Sequence, residues 1–157
     1  MKKFSKSSVF FDPKEIERLN SKYIKDLDFI KVKENFNSEF SDVFWKIIRS
    51  NIDTIDDAQN WFDLINLEFK ISDRVILEKN LKSLILKCVP DKVDGNFWSK
   101  WTQSILKNCD IKPKYLYITL REILTGKKFG PSMNDLLTLM KKDVIIKRVE
   151  TNCEEKD

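Results

Sequence analysis

Residues 118–140 read ITLREILTGKKFGPSMNDLLTLM, and their pattern decides how the chain is read. Ile118, Leu120, Ile123 and Leu124 recur at helical spacing, the period then stops at Gly126, and a glycine-proline pair at Gly130 and Pro131 marks a turn before apolar spacing resumes at Met133. This is helix, turn, helix: a helix from about Lys114 to Thr125, then one from Met133 to Met140 and a last one from Asp143 toward Glu150. The chain has only three glycines, and two of them stand in this turn.

Working outward, the same period recurs nearly everywhere, and convincing strand-like alternation is absent. FDPKEIERLNSKYIKDL offers Asp12 as N-cap, Pro13 at the first helical position and Glu15 in the first turn, followed by a stripe of Ile16, Leu19, Tyr23, Ile24 and Leu27. A short helix is expected around Phe29 to Phe36, and another from Ser38 or Ser41 that aligns Phe40, Phe44, Ile47 and Ile48. Thr54 precedes a helix with Asp56 and Asp57 in its first turn and Ala58, Trp61, Phe62 and Ile65 on one face. Ser72 or Asp73 is expected to cap a helix from Arg74 to Val89, ended by Pro90, and PDKVDGN is a turn before a helix from Phe97 to Asn108. The fold class is all-α, a helical bundle or cage of two subdomains, 1–71 and 72–149, with an acidic tail at 150–157.

The chain of 157 residues is 41% hydrophobic with eleven Phe and four Trp, enough for a real core. Its apolar runs are too short to span a membrane, and the opening MKKFSKSSVFF lacks the apolar stretch of a secretory signal. Cys88, Cys109 and Cys153 form no CxxC pair and suit reduced thiols in a cytoplasmic protein. Histidine is absent, which removes histidine-based nucleophile pairs, general acid-base work and most zinc sites, and disfavours catalysis by this chain alone. Asp56 and Asp57 are read as helix-dipole partners rather than metal ligands, and FSKSS at residues 4–8 as a leader rather than a nucleotide loop. Nothing asks for an obligate dimer, and a monomer is expected.

Charge is uneven. Between Lys112 and Arg148 stand nine basic residues (Lys112, Lys114, Arg121, Lys127, Lys128, Lys141, Lys142, Lys147 and Arg148) against three acids (Glu122, Asp135 and Asp143). This asymmetry fits a solvated basic face or a nucleic-acid surface. Trp45, Trp61, Trp98 and Trp101 are read as core at helical spacing, with base stacking as the alternative. Arg121 has a planar fork for base edges or phosphate, and the turn from Gly126 to Pro131 bares backbone groups near the start of the next helix. Lys127 and Lys128 would be phosphate partners by charge.

The stretch LREILTGKKFGPSMNDLLTLM, followed by KKDVIIKRV, resembles the C-terminal end of bacterial glutamyl-tRNA synthetases, where a pattern PLRxALTGxxxGPxLxxLLxLL closes the anticodon-binding domain. NFWSKWTQSIL is similar to the preceding family helix, and FSKSSVFFDPKEIERLNSKYI to the family stretch that leads into the helical half of the enzyme. The resemblance runs to about Val149. It implies a module that binds tRNA-Glu without catalytic residues of its own, because the histidine motif and lysine loop that activate the amino acid with ATP and magnesium belong to a catalytic half that this chain lacks. It further implies that Arg121, Gly130, Pro131 and Met133 lie against the anticodon bases.

Two departures matter. Thr119 stands where the family has proline, so the helix is expected to start or bend differently there. IIRSNIDTI is similar to a family stretch LLKERxxTL and puts Asn51 where members strict for glutamate tRNA carry an arginine, which implies relaxed reading and acceptance of tRNA-Gln. The competing expectation is a helical protein-interaction module whose basic last third docks an acidic partner.

Overall fold

The computed structural model describes residues 12–36, 40–67 and 70–156. The FSKSS stretch and Ser38 lie outside the described residues.

The first half is helical. Helix α1 spans Pro13–Asp26, with the Asp12 carboxylate accepting the Lys14 N–H at 3.0 Å and Pro13 opening the helix. Its expected stripe is only partly inside: Ile24 and Leu27 are buried, whereas Ile16, Leu19 and Tyr23 are 50%, 61% and 66% exposed. The helix docks on a neighbouring flank instead, where Asn20 donates to the Asp53 carbonyl at 2.5 Å and the Ser21 hydroxyl bonds the Asp53 carboxylate. Two specific polar bonds thus set its rotation.

Helix α2, Phe29–Val32, tightens into a 3-10 turn at Lys33–Asn35. Helix α3, Asp42–Ile48, is capped by the Ser41 hydroxyl, which accepts the Phe44 N–H at 3.1 Å, and runs into a 3-10 turn at Arg49–Asn51. Helix α4 covers Asp56–Asn66. Phe40 stacks on Phe36 and Phe62 at centroid separations of 4.1 and 4.4 Å, and Trp45 donates its indole N–H to the Leu27 carbonyl at 2.7 Å. Aromatic area this large, with its one polar handle satisfied, anchors a small subdomain.

In the second half, the expected helix from Arg74 to Val89 is not one element. Val75–Leu77 form strand β1, and the helix, α5, covers only Leu81–Lys87, entered through Asn80 at φ +66° rather than through Ser72 or Asp73. The partner strand is β2, Cys153–Glu155, so the acidic tail is part of the fold. The two run parallel, with Val75 opposite Cys153 and Leu77 opposite Glu155. Charges match across the pair: Arg74 meets Glu154, the Lys82 N–H donates to the Glu155 carboxylate at 2.8 Å, and the Lys82 ammonium donates to the carbonyls of Glu150 and Cys153 at 2.7 and 3.1 Å.

Between these strands lie α6 (Phe97–Asn108), α7 (Pro113–Thr125), α8 (Met133–Thr138) and α9 (Lys142–Asn152). Helix α7 starts at Pro113 and runs unbroken through Thr119, which is buried, so the missing family proline leaves no break there.

The two sets of helices share one core. Arg148, 2% exposed, donates from Nη1 to the Leu124 carbonyl at 2.7 Å and from Nη2 to the carbonyls of Leu64 and, at 3.2 Å, Leu67, tying α9 and α7 to the end of α4. Asn152 adds a second tie, accepting the Ile71 N–H at 3.3 Å and donating to the Ile123 carbonyl at 3.0 Å.

Candidate nucleic-acid interface

The corner after α7 is built by its own side chains. Gly126 takes φ +64°, the left-handed conformation that closes a helix, and its N–H bonds the Glu122 carbonyl at 2.7 Å. The Thr125 hydroxyl donates to the Arg121 carbonyl at 2.7 Å and accepts the Lys127 N–H at 3.2 Å, so the chain is turned by a side chain immediately past the helix end.

Gly130 then lies against Trp61 of α4. A Cβ at Gly130 would stand 2.7 Å from Trp61 Cη2, and the residue has φ +149°, so the close approach needs glycine on both counts. Arg121 holds the corner from behind, donating from Nη2 to the Pro131 carbonyl at 2.9 Å, while Nη1 is buried without a hydrogen-bond partner. Burial pulls the Arg121 guanidinium below its usual pKa.

Two grooves flank this corner. The first, of about 330 Å³, is lined by Asn51, Ile52, Asp53, Asp57, Asn60 and Trp61 from the first half and Lys127, Phe129 and Gly130 from the second. The second, of about 240 Å³, is lined by Trp98, Tyr117 and Ile118 with Arg121, Ser132, Met133 and Asn134; the Trp98 and Tyr117 rings are 5.9 Å apart. In the first groove the Lys127 ammonium sits 4.9 Å from the Trp61 ring centroid, a cation–π contact. Lys128 reaches outward to Glu122 at 4.0 Å.

Asp57 shapes the floor of that groove. It accepts the N–H groups of Thr54 and Asp53 at 2.9 and 3.1 Å and the Thr54 hydroxyl at 2.9 Å, while its own N–H returns to that hydroxyl. The arrangement is a capping box with aspartate in place of glutamate. Burial pushes the Asp57 carboxyl up, but these bonds, together with the charge of Lys127, outweigh it and hold the group below the usual carboxylate range.

Of the residues singled out in the sequence, Asn51, Lys127 and Gly130 meet at the first groove, and Arg121 and Met133 meet at the second. Pro131 is buried between them, and Met133 is 4% exposed, so it presents an edge rather than an open platform. Lys128 lines neither of these two grooves and stays exposed beside Glu122. Helix α8 is only six residues long, and Ser132 makes no side-chain cap bond there. Arg148 is buried, so it drops out of the nine-residue basic face. Trp45, Trp61 and Trp101 are core; Trp98 is half-buried on the groove rim.

Sequence reasoning passed over Phe129, which is 86% exposed at the tip of the turn. The available signal was a phenylalanine set among Lys127, Lys128 and Gly130, off every helical stripe. The exposed Phe129 ring and the amide edges of Asn51 and Asn60 suit a ligand with aromatic faces and polar edges, while Lys127 is, among the described residues, the one cation lining this groove against two carboxylates, Asp53 and Asp57. Among the described residues, no group of three or more His, Cys, Asp or Glu could hold a metal ion, and no helix is long and apolar enough to cross a membrane.

The family model described as an anticodon binding domain matches residues 17–153. The chain belongs to that family. It is 33% identical over 150 residues to glutamate–tRNA ligase 1 of Rickettsia typhi, covering 93% of this chain and 34% of the relative. Glutamate–tRNA ligase 1 of Wolbachia sp. subsp. Brugia malayi is 33% identical over 153 residues, 96% of this chain and 34% of that protein. Glutamate–tRNA ligase 2 of Bartonella bacilliformis is 31% identical over 156 residues, 92% and 33% respectively. The chain thus spans about a third of the length of the curated relatives it matches, and its own all-α architecture, with a short two-stranded sheet, is that of an anticodon binding domain.

Proposed function

We propose that this domain binds the anticodon loop of tRNA-Glu as part of a glutamate–tRNA ligase, and does so by shape, stacking and charge without chemistry of its own. The observation that carries the reading is the convergence of Asn51 and Trp61 from the first half with Lys127, Phe129 and Gly130 from the second on one groove. A splayed loop offers unstacked bases with polar edges, and such a groove can hold them. On this reading Arg121 and Met133 border the second groove with Pro131 supporting the corner between the grooves, Lys127 and Lys128 face phosphates, and ATP and magnesium are used elsewhere in the enzyme. The protein acts as a monomer in the cytoplasm.

Asn51 extends the proposal to tRNA-Gln. Asparagine is shorter than arginine and uncharged, so it rejects a changed third anticodon base less strongly. The test is filter binding of the full chain, in low salt, to tRNA-Glu, tRNA-Gln and anticodon-swapped tRNA-Glu. Binding of the first two above the swapped RNA is expected, with Asn51→Arg weakening tRNA-Gln selectively. Equal affinity for all three RNAs would remove the anticodon reading, and rejection of tRNA-Gln by the unaltered chain would remove its extension. A salt series sharpens the result: the log-log slope should be roughly −0.7 per phosphate contacted, and Lys127→Ala or Lys128→Ala should each reduce it by about 0.7.

The second reading is a helical protein-interaction module whose basic last third docks an acidic partner. That reading expects RNA affinity from charge alone, indifferent to the anticodon.

A further inference from the structure

We propose that Phe129 is a stacking wedge for one unpaired base of the bound RNA loop, a contact that reads the flat face of a base rather than its edge. The inference deepens the anticodon-loop reading and rests on it. Three observations converge on the ring. It is 86% exposed, the most exposed large apolar side chain among the described residues, so burying it under a partner would gain about 25 cal/mol for every Å² of apolar surface covered.

It is also carried on backbone that is tied down on both sides: Gly126 and Thr125 hold the start of the turn, and Gly130 lies on Trp61 with Arg121 bonding the next carbonyl. An exposed ring on a fixed turn is presented to something. Lys127 and Lys128 precede it in the turn and both are solvent-facing, Lys127 with its ammonium 4.9 Å from the Trp61 ring centroid and Lys128 4.0 Å from Glu122. An exposed apolar ring that follows two exposed lysines in the same turn suits a partner that is flat, aromatic and attached to anions, which describes an unstacked nucleotide.

The groove beside the ring, with Asn51 and Asn60 on its far wall, lies within one side chain's reach, so a loop whose neighbouring base enters that groove would bring the next base over Phe129. Because every base has a π-face, this contact tolerates base identity. It therefore adds affinity for an open loop and not preference for a sequence.

The test is a coupling measurement with the full chain and an anticodon stem-loop RNA of tRNA-Glu. Phe129→Ala should weaken binding on the order of 5- to 100-fold, Phe129→Trp should retain it, and the slope of affinity against salt should not change, since no charge is removed. Abasic RNAs, one for each loop position, then locate the partner: for one position the Phe129→Ala loss should vanish, while replacing that base by any other base leaves the loss in place. No loss on Phe129→Ala, or a loss that stays the same with every abasic RNA, would overturn the wedge; the latter outcome would mean that the ring meets sugar rather than a base. Indifference of the unaltered chain to anticodon swaps sinks the anticodon reading separately, and the abasic series still reports on the wedge. The exposed ring contributes little to the core, and circular dichroism of both variants checks that they fold.

Discussion

At the scale of single residues, the corner depends on Gly130 more than on any charged group. A methyl there meets the Trp61 ring at 2.7 Å, and Trp61 is itself 3% exposed and hemmed in, so it cannot step aside. The φ of +149° adds a backbone penalty that side chains of L-residues rarely accept. Gly130→Ala is therefore expected to cost about 1–3 kcal/mol, read as a lowered urea midpoint with an altered Trp fluorescence signal. Unchanged stability would mean that the corner stands off Trp61. The glycine-proline punctuation made this corner legible in the sequence, because Gly126 and Pro131 break a helical period that is otherwise continuous. The far wall was not legible: Asn60 and Trp61 sit on a helix whose spacing announces only that Trp61 faces inward, and which neighbour it faces is a tertiary fact.

Elements differ in how far local sequence determines them. Helix α6 begins at Phe97 and ends at Asn108, as its period and the preceding DGN turn predict. Strand β1 escapes that logic because Val75, Ile76 and Leu77 satisfy the apolar positions of a helix as well as of a strand, and the deciding partner stands near the other end of the chain. The same partner explains why residues 153–155 are structure despite their acids. Removing residues 153–157 should leave β1 unpaired, cost Lys82 its bonds to Glu155 and Cys153, and open the pocket that the buried Cys153 thiol fills. The expected loss is about 3 kcal/mol, with faster amide exchange at Val75 to Leu77 than in α6. A shortened chain of undiminished denaturation midpoint would refute the structural role of β2.

For the whole molecule, the decisive residue is Arg148. Sequence reading counted it toward a basic face, since an arginine near the end of an amphipathic helix is ordinarily solvated; the structure puts it inside, where it serves three carbonyls. Burial pulls its pKa down to about 10. The sign is unfavourable to the cation: the folded state binds this proton less tightly than the unfolded chain does, so a cost of burial persists at neutral pH and is relieved only as pH rises through about 10. The carbonyl bonds must outweigh that cost. Arg148→Met should thus destabilise by about 3 kcal/mol or more, leaving the buried carbonyls of Leu64 and Leu124 without this donor. The unaltered chain should unfold in one calorimetric transition and Arg148→Met in two, as the shared core loses its tie. One transition in both would show that apolar packing and the Asn152 bonds suffice to join the halves.

The tethering of the corner by Thr125, Gly130 and Arg121 has a consequence for rates. A turn that is already held in a single shape has no loop of its own to rearrange when RNA arrives, so the slow step of association moves to the other molecule. The on-rate should then follow how readily the anticodon loop opens in free solution, and agents that stiffen or loosen that loop should change the speed of capture while leaving the protein's own motions out of the rate law.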